Sequence, residues 1–202
     1  MAERFSAETA TAETTPDPVA EPPAEAEARL YACFRRLGIA FTHHAHPPFF
    51  TVEDSRGLRD GMPGAHTKNM FLKEKKGGLW LVTCDEDRQI RIRDLEKAVG
   101  AKSMSFARPE LLAEALGVRP GAVTPFALLN DTAHRVRFVL DPGLEADALV
   151  NAHPLHNEAT TAVSPAGLAA FLAETGHTPL RIDFDALEAR ARAAAQAAEE
   201  TP

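Results

Sequence analysis

The chain has only two cysteines, Cys33 and Cys84, far apart and in no C-x-x-C spacing. A disulfide framework and a zinc knuckle are therefore not indicated, and each thiol reads as a buried structural group. No apolar run approaches the roughly 18 to 20 residues that a membrane span needs, and the first thirty residues lack the basic start and apolar middle of a secretory signal. A soluble, cytoplasmic protein without a membrane partner is expected. No G-x-G-x-x-G follows a strand pattern and no G-x-x-x-x-G-K-[ST] occurs, so dinucleotide and P-loop readings lack their phosphate cradles. A G-x-S-x-G elbow is also missing, and neither cysteine has a nucleophile's setting, which disfavours covalent catalysis. There is no internal repeat.

With 45% hydrophobic residues, the 202-residue chain can bury one complete core, and its length favours one domain with tails. The formal charge of -7 is unfavourable to nucleic acid, but the acids are concentrated at the ends. Residues 1–28 carry seven against Arg4, and residues 183–202 carry five against Arg190 and Arg192. The body between is slightly positive, which is compatible with RNA; no DNA partner is expected.

Residues 1–23 are mostly Ala, Glu, Thr and Pro, with too little apolar surface to offset their ordering entropy, and form an expected disordered acidic leader. Pro23 precedes a helix whose Leu30, Tyr31, Phe34 and Leu37 share a face, with Gly38 as its cap. Residues 39–45 read as a strand stopped by Pro47-Pro48, and Thr51 can cap a helix from Val52 with Glu53 and Asp54 in its first turn. The runs 66–73 and 79–84 flank Gly77-Gly78 as a hairpin. Residues 89–92 can pair beside it, before a short helix from Arg93 or Asp94 to Val99. Residues 103–107 read as a strand, and Pro109 opens a helix that turns Leu111, Leu112 and Leu116 inward until Gly117. Residues 134–140 alternate as a half-buried strand, 144–149 form a short helix, and 150–155 and 159–163 pair. Ser164 and Pro165 start a helix ending at Gly176, Leu180, Ile182 and Phe184 alternate in a last strand, and residues 185–200 form an Ala-rich helix. Strands interleaved with helices and joined by hairpin-length turns predict a single α+β domain on a mixed sheet.

Eight histidines invite a metal hypothesis. Of His43, His44 and His46, only His44 and His46 can share a strand face, and no nearby carboxylate or cysteine completes a four-ligand set, so a solvated strand end is the simpler reading. His134 and His177 are expected at the surface. His153 differs because Pro154 fixes the backbone after it, though alone it reads as a packed or hydrogen-bonded histidine. Lys68 and Asn69 alone read as an ordinary strand edge, and Lys73, Lys75 and Lys76 as solvated turn charge. Gly121-Ala122-Val123-Thr124-Pro125, bounded by Pro120, is a constrained turn whose backbone N–H groups can face an acyl carbonyl or a phosphate. In isolation G-x-x-x-P is more often a structural turn.

Thr67-Lys68-Asn69-Met70-Phe71-Leu72, this loop, and Asn151-Ala152-His153-Pro154-Leu155 with Ala159-Thr160-Thr161-Ala162 follow one another in one chain. Together they resemble the YbaK-like, or prolyl-tRNA synthetase editing-domain, family, and within it the freestanding alanyl-tRNA(Pro) deacylases. The resemblance covers roughly residues 24–184, leaving 1–23 and the tail 185–202 outside. It implies a mixed sheet curled into a barrel-like core among helices, and hydrolysis of the ester joining a wrong amino acid to tRNA. The implied partners are the acceptor end of mischarged tRNA(Pro) and prolyl-tRNA synthetase; no cofactor or metal is implied. By resemblance, Lys68 contacts the terminal adenosine or its phosphate, Asn69 is its pocket neighbour, and His153 lines the aminoacyl pocket. The backbone of Gly121, Ala122, Val123, Thr124 and Pro125 holds the substrate carbonyl and the attacking water. Lys68, Gly121 and His153 are thus the expected catalytic set, with Lys73, Arg91 and Arg93 against the acceptor stem. A synthetase pocket sized for proline cannot exclude alanine, since a missing methylene or two is worth only about 1 to 3 kcal/mol, so a second sieve is needed. Cysteinyl-tRNA(Pro) deacylation, or non-catalytic binding of aminoacyl-tRNA or a synthetase, are the alternatives.

Overall fold

The computed structural model describes residues 21–48 and 61–199. The helix expected from Val52, and the acidic leader up to residue 20, lie outside these residues. Helix α1 (Pro23–Leu37) begins with proline in its first turn, where a missing N–H costs nothing, and ends at Gly38, whose φ of 67° lets its N–H return to the Arg35 carbonyl. Its buried residues Ala26, Leu30, Cys33 and Phe34 recur at helical spacing. Leu30 and Phe34 are fully buried, each worth roughly 1.5 to 3 kcal/mol by area removed from water. Phe34 meets Phe126 and Phe171 edge-on at 5.2 and 5.7 Å, which fixes α1 over the sheet.

Strand β1 (Phe41–Ala45) is followed by the hairpin of β2 (Ala65–Glu74) and β3 (Leu79–Asp85), in register from Thr67 opposite Asp85 to Lys73 opposite Leu79. Gly77 supplies the positive φ, 94°, that this turn demands. Then come α2 (Ile92–Val99), β4 (Met104–Phe106), α3 (Pro109–Leu116), a 3-10 turn at Pro125–Asn130, β5 (Val136–Leu140), and a second 3-10 turn at Pro142–Glu145. The chain continues through β6 (Val150–Ala152), β7 (Ala159–Val163), α4 (Pro165–Glu174), β8 (Leu180–Arg181) and α5 (Phe184–Glu199). Ser164 caps α4 by accepting the Gly167 N–H at 3.0 Å, as its sequence position predicts.

The eight strands form one mixed sheet in the order β1-β7-β6-β2-β3-β5-β8, with β4 paired to the end of β2. The β2/β6, β3/β5 and β5/β8 pairs are parallel and the others antiparallel. The α+β expectation holds; no pairing among the described residues joins β1 to β8 to close a barrel. A large core, including Leu30, Phe34, Phe71, Leu81, Phe126 and Phe171, fills the face under α1 and α4. A smaller one, including Leu72, Trp80, Val82, Cys84, Leu95, Phe184 and Leu187, fills the opposite face under α2 and α5. Both thiols are buried. Among the described residues no helix is long and apolar enough to cross a membrane.

Five expectations are corrected. Residues 89–92 form no strand: the Arg91 carbonyl accepts the Asp94 and Leu95 N–H groups, which makes Arg91 the cap of α2. Strand β5 is not half-buried, because Val139 packs into the smaller core while Val136, Phe138 and Leu140 pack into the larger. The helix at 144–149 is replaced by the short 3-10 turn that Asp141 caps, and the last strand stops at Arg181 because Phe184 opens α5. His177 is buried, not superficial: it faces Asp131 at 3.2 Å, and that carboxylate also accepts the Arg135 and Val136 N–H groups. His134 is exposed as expected.

Candidate active site

Neighbouring residues of a strand point to opposite faces, and β2 separates Lys68 from Asn69 in this way. Asn69 lies across from Thr83 on the side of Phe71 and the larger core, whereas Lys68 lies across from Cys84 on the side of Leu72 and the smaller core. The Asn69 side chain belongs to a string of polar groups. Thr83 donates its hydroxyl to Asn69 Oδ1 at 2.6 Å, Asn69 Nδ2 donates to Thr67 Oγ1 at 3.2 Å, and Thr67 donates to the Asn151 carbonyl at 2.9 Å. Buried Asn151 donates from Nδ2 to the Pro63 and Ala65 carbonyls, at 3.1 and 3.2 Å. Both acceptors are carbonyls, so the amide orientation is fixed, and Asn151 Oδ1 is left buried without a partner among the described residues.

The edge of β2 opposite β3 is split. β6 covers it only at Ala65 and His66, and β4 only from Leu72 to Glu74. Ala65 donates to Leu149 and Phe71 accepts from Ala107 on this edge, so by strand alternation the backbone of Asn69 faces it too, in the stretch neither strand covers. β6 ends at Ala152, so His153 is the first residue past the strand that covers Ala65 and His66. His153 Nδ1 lies 2.9 Å from the Ala159 carbonyl, which can only accept, so Nδ1 carries the proton. Nε2 has no protein partner among the described residues. Burial, aided by nearby His46 and His156, pushes the imidazole below its usual range despite the opposing bond to Ala159. A neutral ring with a bare Nε2 is an acceptor. His46 stands beside it, ring centroids 6.0 Å apart, and shares a 2.9 Å bond with Thr160.

Arg119-Pro120-Gly121-Ala122 closes as a type II turn. The Arg119 carbonyl accepts the Ala122 N–H at 3.0 Å, and Gly121 has a φ of 87°. Ala122 anchors the loop in the larger core with Ala152 and Leu155, the neighbours of His153. Thr124 and Pro125 are buried, and Thr124 Oγ1 accepts the Phe126 N–H. Neither the Val123 nor the Thr124 N–H donates to another described residue.

Lys68 is held from below: Nζ donates to the Glu86 carbonyl at 3.0 Å and to the Arg88 carbonyl. Cys84 lies beside it, and burial above all pushes that thiol up to about 12, so it offers no thiolate at neutral pH. The structure does not unite Lys73 with Arg91 and Arg93. Lys73 lines a groove with Lys75, Leu79, Leu111 and Arg135 on the larger-core side; Arg91 pairs with Asp94, and exposed Arg93 belongs to α2 on the other face. Sequence reasoning missed Thr83 and His46, and also Tyr31, whose hydroxyl meets Thr161 at 2.6 Å and His43 at 2.8 Å. A threonine at an inward position of an otherwise apolar strand was the available signal for Thr83. No three or more His, Cys, Asp or Glu among the described residues are grouped to hold a metal.

Residues 46–171 match the aminoacyl-tRNA editing domain family. The chain is 42% identical over 167 residues to prolyl-tRNA synthetase associated domain-containing protein 1 of Bos taurus, covering 80% of this chain and 97% of that one. It is 32% identical over 155 residues to prolyl-tRNA editing protein ProX of Acetoanaerobium sticklandii, covering 76% and 94%. A solved structure described as that of a candidate trans-editing enzyme for prolyl tRNA synthetase shares the fold, with a TM-score of 0.57 at 18% identity, over 78% of this chain and 96% of that one.

Proposed function

The chain belongs to the aminoacyl-tRNA editing domain family, and from that premise we propose that it is a trans-editing deacylase that hydrolyses mischarged alanyl-tRNA(Pro). The observation that carries this reading is the split edge of β2. At Asn69 a backbone and an amide held by Thr83 border one opening, and His153 is the first residue past the strand that covers Ala65 and His66.

Hydrolysis requires a water oxygen to attack the ester carbonyl, a negative charge to form on the carbonyl oxygen, and the bond to the ribose oxygen to break as that oxygen takes a proton. In this reading the Val123 and Thr124 N–H groups, presented by the Gly121 turn and the buried Pro125, receive the carbonyl oxygen as its charge grows. The ribose hydroxyl beside the ester places the water, so no protein nucleophile is required. His153 Nε2 accepts from the substrate's ammonium or the water. Lys68 uses its third N–H on an oxygen of the terminal adenosine. A small pocket admits alanine and rejects proline, supplying the discrimination that a proline-sized synthetase site lacks.

Lys73 on one face and Arg91 and Arg93 on the other are the candidate contacts for the acceptor stem in this reading, and the association with prolyl-tRNA synthetase belongs to it as well. Incubating the protein with alanyl-, cysteinyl- and prolyl-tRNA(Pro) and following ester loss tests the reading: alanine should be released first and prolyl ester spared. Preferential loss of cysteine would assign the other substrate, and tight binding without turnover would make the protein a binder. Lys68→Ala should abolish most turnover; unchanged turnover would remove Lys68 from the mechanism.

A further inference from the structure

The carbonyls that hold the Lys68 amine belong to the loop after β3, and one side chain fixes that loop. Arg88 is largely buried and reaches three carboxylates: Asp141 through Nε at 3.0 Å, and Asp185 and Glu188 through Nη1, the latter at 3.0 Å. Asp141 is almost fully buried at the end of β5 and is itself fixed, accepting the Gly143 N–H at 2.9 Å and the Asp85 N–H at 3.4 Å. Asp185 and Glu188 lie on the first turns of α5, which begins at Phe184, beyond the family match at 171. Arg88 therefore ties α5 and β5 to the loop whose Glu86 and Arg88 carbonyls accept from Lys68. A guanidinium has the fixed multi-donor geometry this needs, and a lysine ammonium does not.

We propose that Arg88 is a positioning residue for Lys68, and that the C-terminal helix α5 is thereby a working part of the site. The kinetic consequence rests on the deacylase reading; the structural one does not. Without the carboxylate clamp the loop relaxes, the two carbonyls leave the amine, and Lys68 swings free. Other lysines, such as Lys97 and Lys102, have no link to Arg88 and should not respond.

The test compares wild type with Arg88→Met, Arg88→Lys and Glu188→Gln, using Arg181→Met, which breaks the Arg181–Glu145 pair, as the control. The first readout is the acetylation rate of each lysine under a soluble acetylating reagent, measured by peptide mass. Lys68 should react about fivefold or more faster in Arg88→Met, since charge-assisted hydrogen bonds shield it in the wild type. Arg88→Lys should not restore the wild-type rate, Glu188→Gln should give a smaller increase, and the control none. The second readout is deacylation kinetics: KM for the aminoacyl-tRNA should rise in Arg88→Met by more than kcat falls, because Lys68 anchors substrate. An unchanged Lys68 rate in both Arg88→Met and Glu188→Gln overturns the proposal. Faster labelling with wild-type deacylation kinetics also overturns it. If the wild type deacylates none of the three tRNAs while Lys68 labelling still rises, the deacylase reading falls and the positional inference stands. If Arg88→Met fails to fold, Glu188→Gln decides, and an unchanged Lys68 rate in that variant overturns the proposal.

Discussion

Asn151 anchors the segment leading into β2, and substituting it separates two effects that the structure sets against each other. Asn151→Ala removes the two donations to the Pro63 and Ala65 carbonyls, each worth about 0.5 to 1.5 kcal/mol net. It also removes the buried, unpartnered Oδ1, whose burial costs about 1 to 3 kcal/mol. The two changes offset, so Asn151→Ala should destabilise by no more than about 2 kcal/mol. Asn151→Asp has the same shape but turns an oxygen toward both carbonyls, so the acid must stay protonated in the folded state or leave its place. Its folded pKa then lies above the unfolded value. For such an acid, stability is fully present below the unfolded pKa and is lost as pH rises toward the folded one. From an unfolded value near 3.9, each pH unit costs about 1.4 kcal/mol, giving a loss of up to about 4 kcal/mol at pH 7. Urea titrations of both variants between pH 4 and 7.5 measure this. The gap between Asn151→Asp and wild type should widen as pH rises, while that for Asn151→Ala stays flat. An Asn151→Asp protein as stable as wild type at pH 7, with no pH slope, would refute the buried clasp.

Three further outcomes follow from single contacts. Thr83→Val keeps the shape but frees Asn69 Oδ1, and should cost about 1 kcal/mol in urea denaturation while slowing deacylation between about three- and tenfold. At Gly64, with φ of 102°, a Cβ would lie 2.4 Å from the Leu149 carbonyl oxygen, so Gly64→Ala should lose roughly 3 kcal/mol or more and lower the thermal midpoint. Because burial depresses the His153 pKa from an ordinary 6.5, the unfolded chain binds a proton first as pH falls. The stability tied to a neutral His153 is therefore present above about pH 6.5 and lost below it, a slope that a His153→Gln variant should lack in urea midpoints from pH 7.5 to 5.5.

Helix ends and turns were legible where a residue type enforces a backbone angle: Gly38 after α1, Gly77 in the hairpin, Ser164 and Pro165 at α4. Periodicity failed where both faces of a strand are covered. In β5 the run Phe138-Val139-Leu140 is continuous rather than alternating, and that was the available sign of burial on two sides. Ile90 and Ile92 alternate as a strand would, but a cap at Arg91 wins locally because it satisfies two N–H groups at once. The burial of His177 was not legible because its partner, Asp131, is distant in sequence and no local pattern announces a buried hydrogen-bonded pair. For the site, the motifs named Asn69 and His153, which lie on the uncovered stretch of β2 and just past the end of β6. What they could not convey was that Lys68 approaches from the other face, since alternation fixes the opposition of neighbours but not which core each one joins.

That opposition has a chemical consequence. Two donors of the Lys68 amine go to carbonyls, so what it offers a ligand is one remaining N–H, suited to an acceptor oxygen such as a phosphate or a ribose oxygen. His153 offers the reverse, an Nε2 lone pair with its only N–H committed to Ala159, suited to an ammonium or a hydroxyl. In the proposed reading a ligand meets both at the uncovered edge beside Asn69, and an aminoacyl-adenosine carries an acceptor-rich end and a donor-bearing end in one molecule. A ligand with only one of those ends would engage only one side of the opening. Free alanine and free adenosine should each bind far more weakly than a non-hydrolysable aminoacyl-adenosine analogue; equal affinity of the analogue and either half would argue that the two faces act on separate ligands.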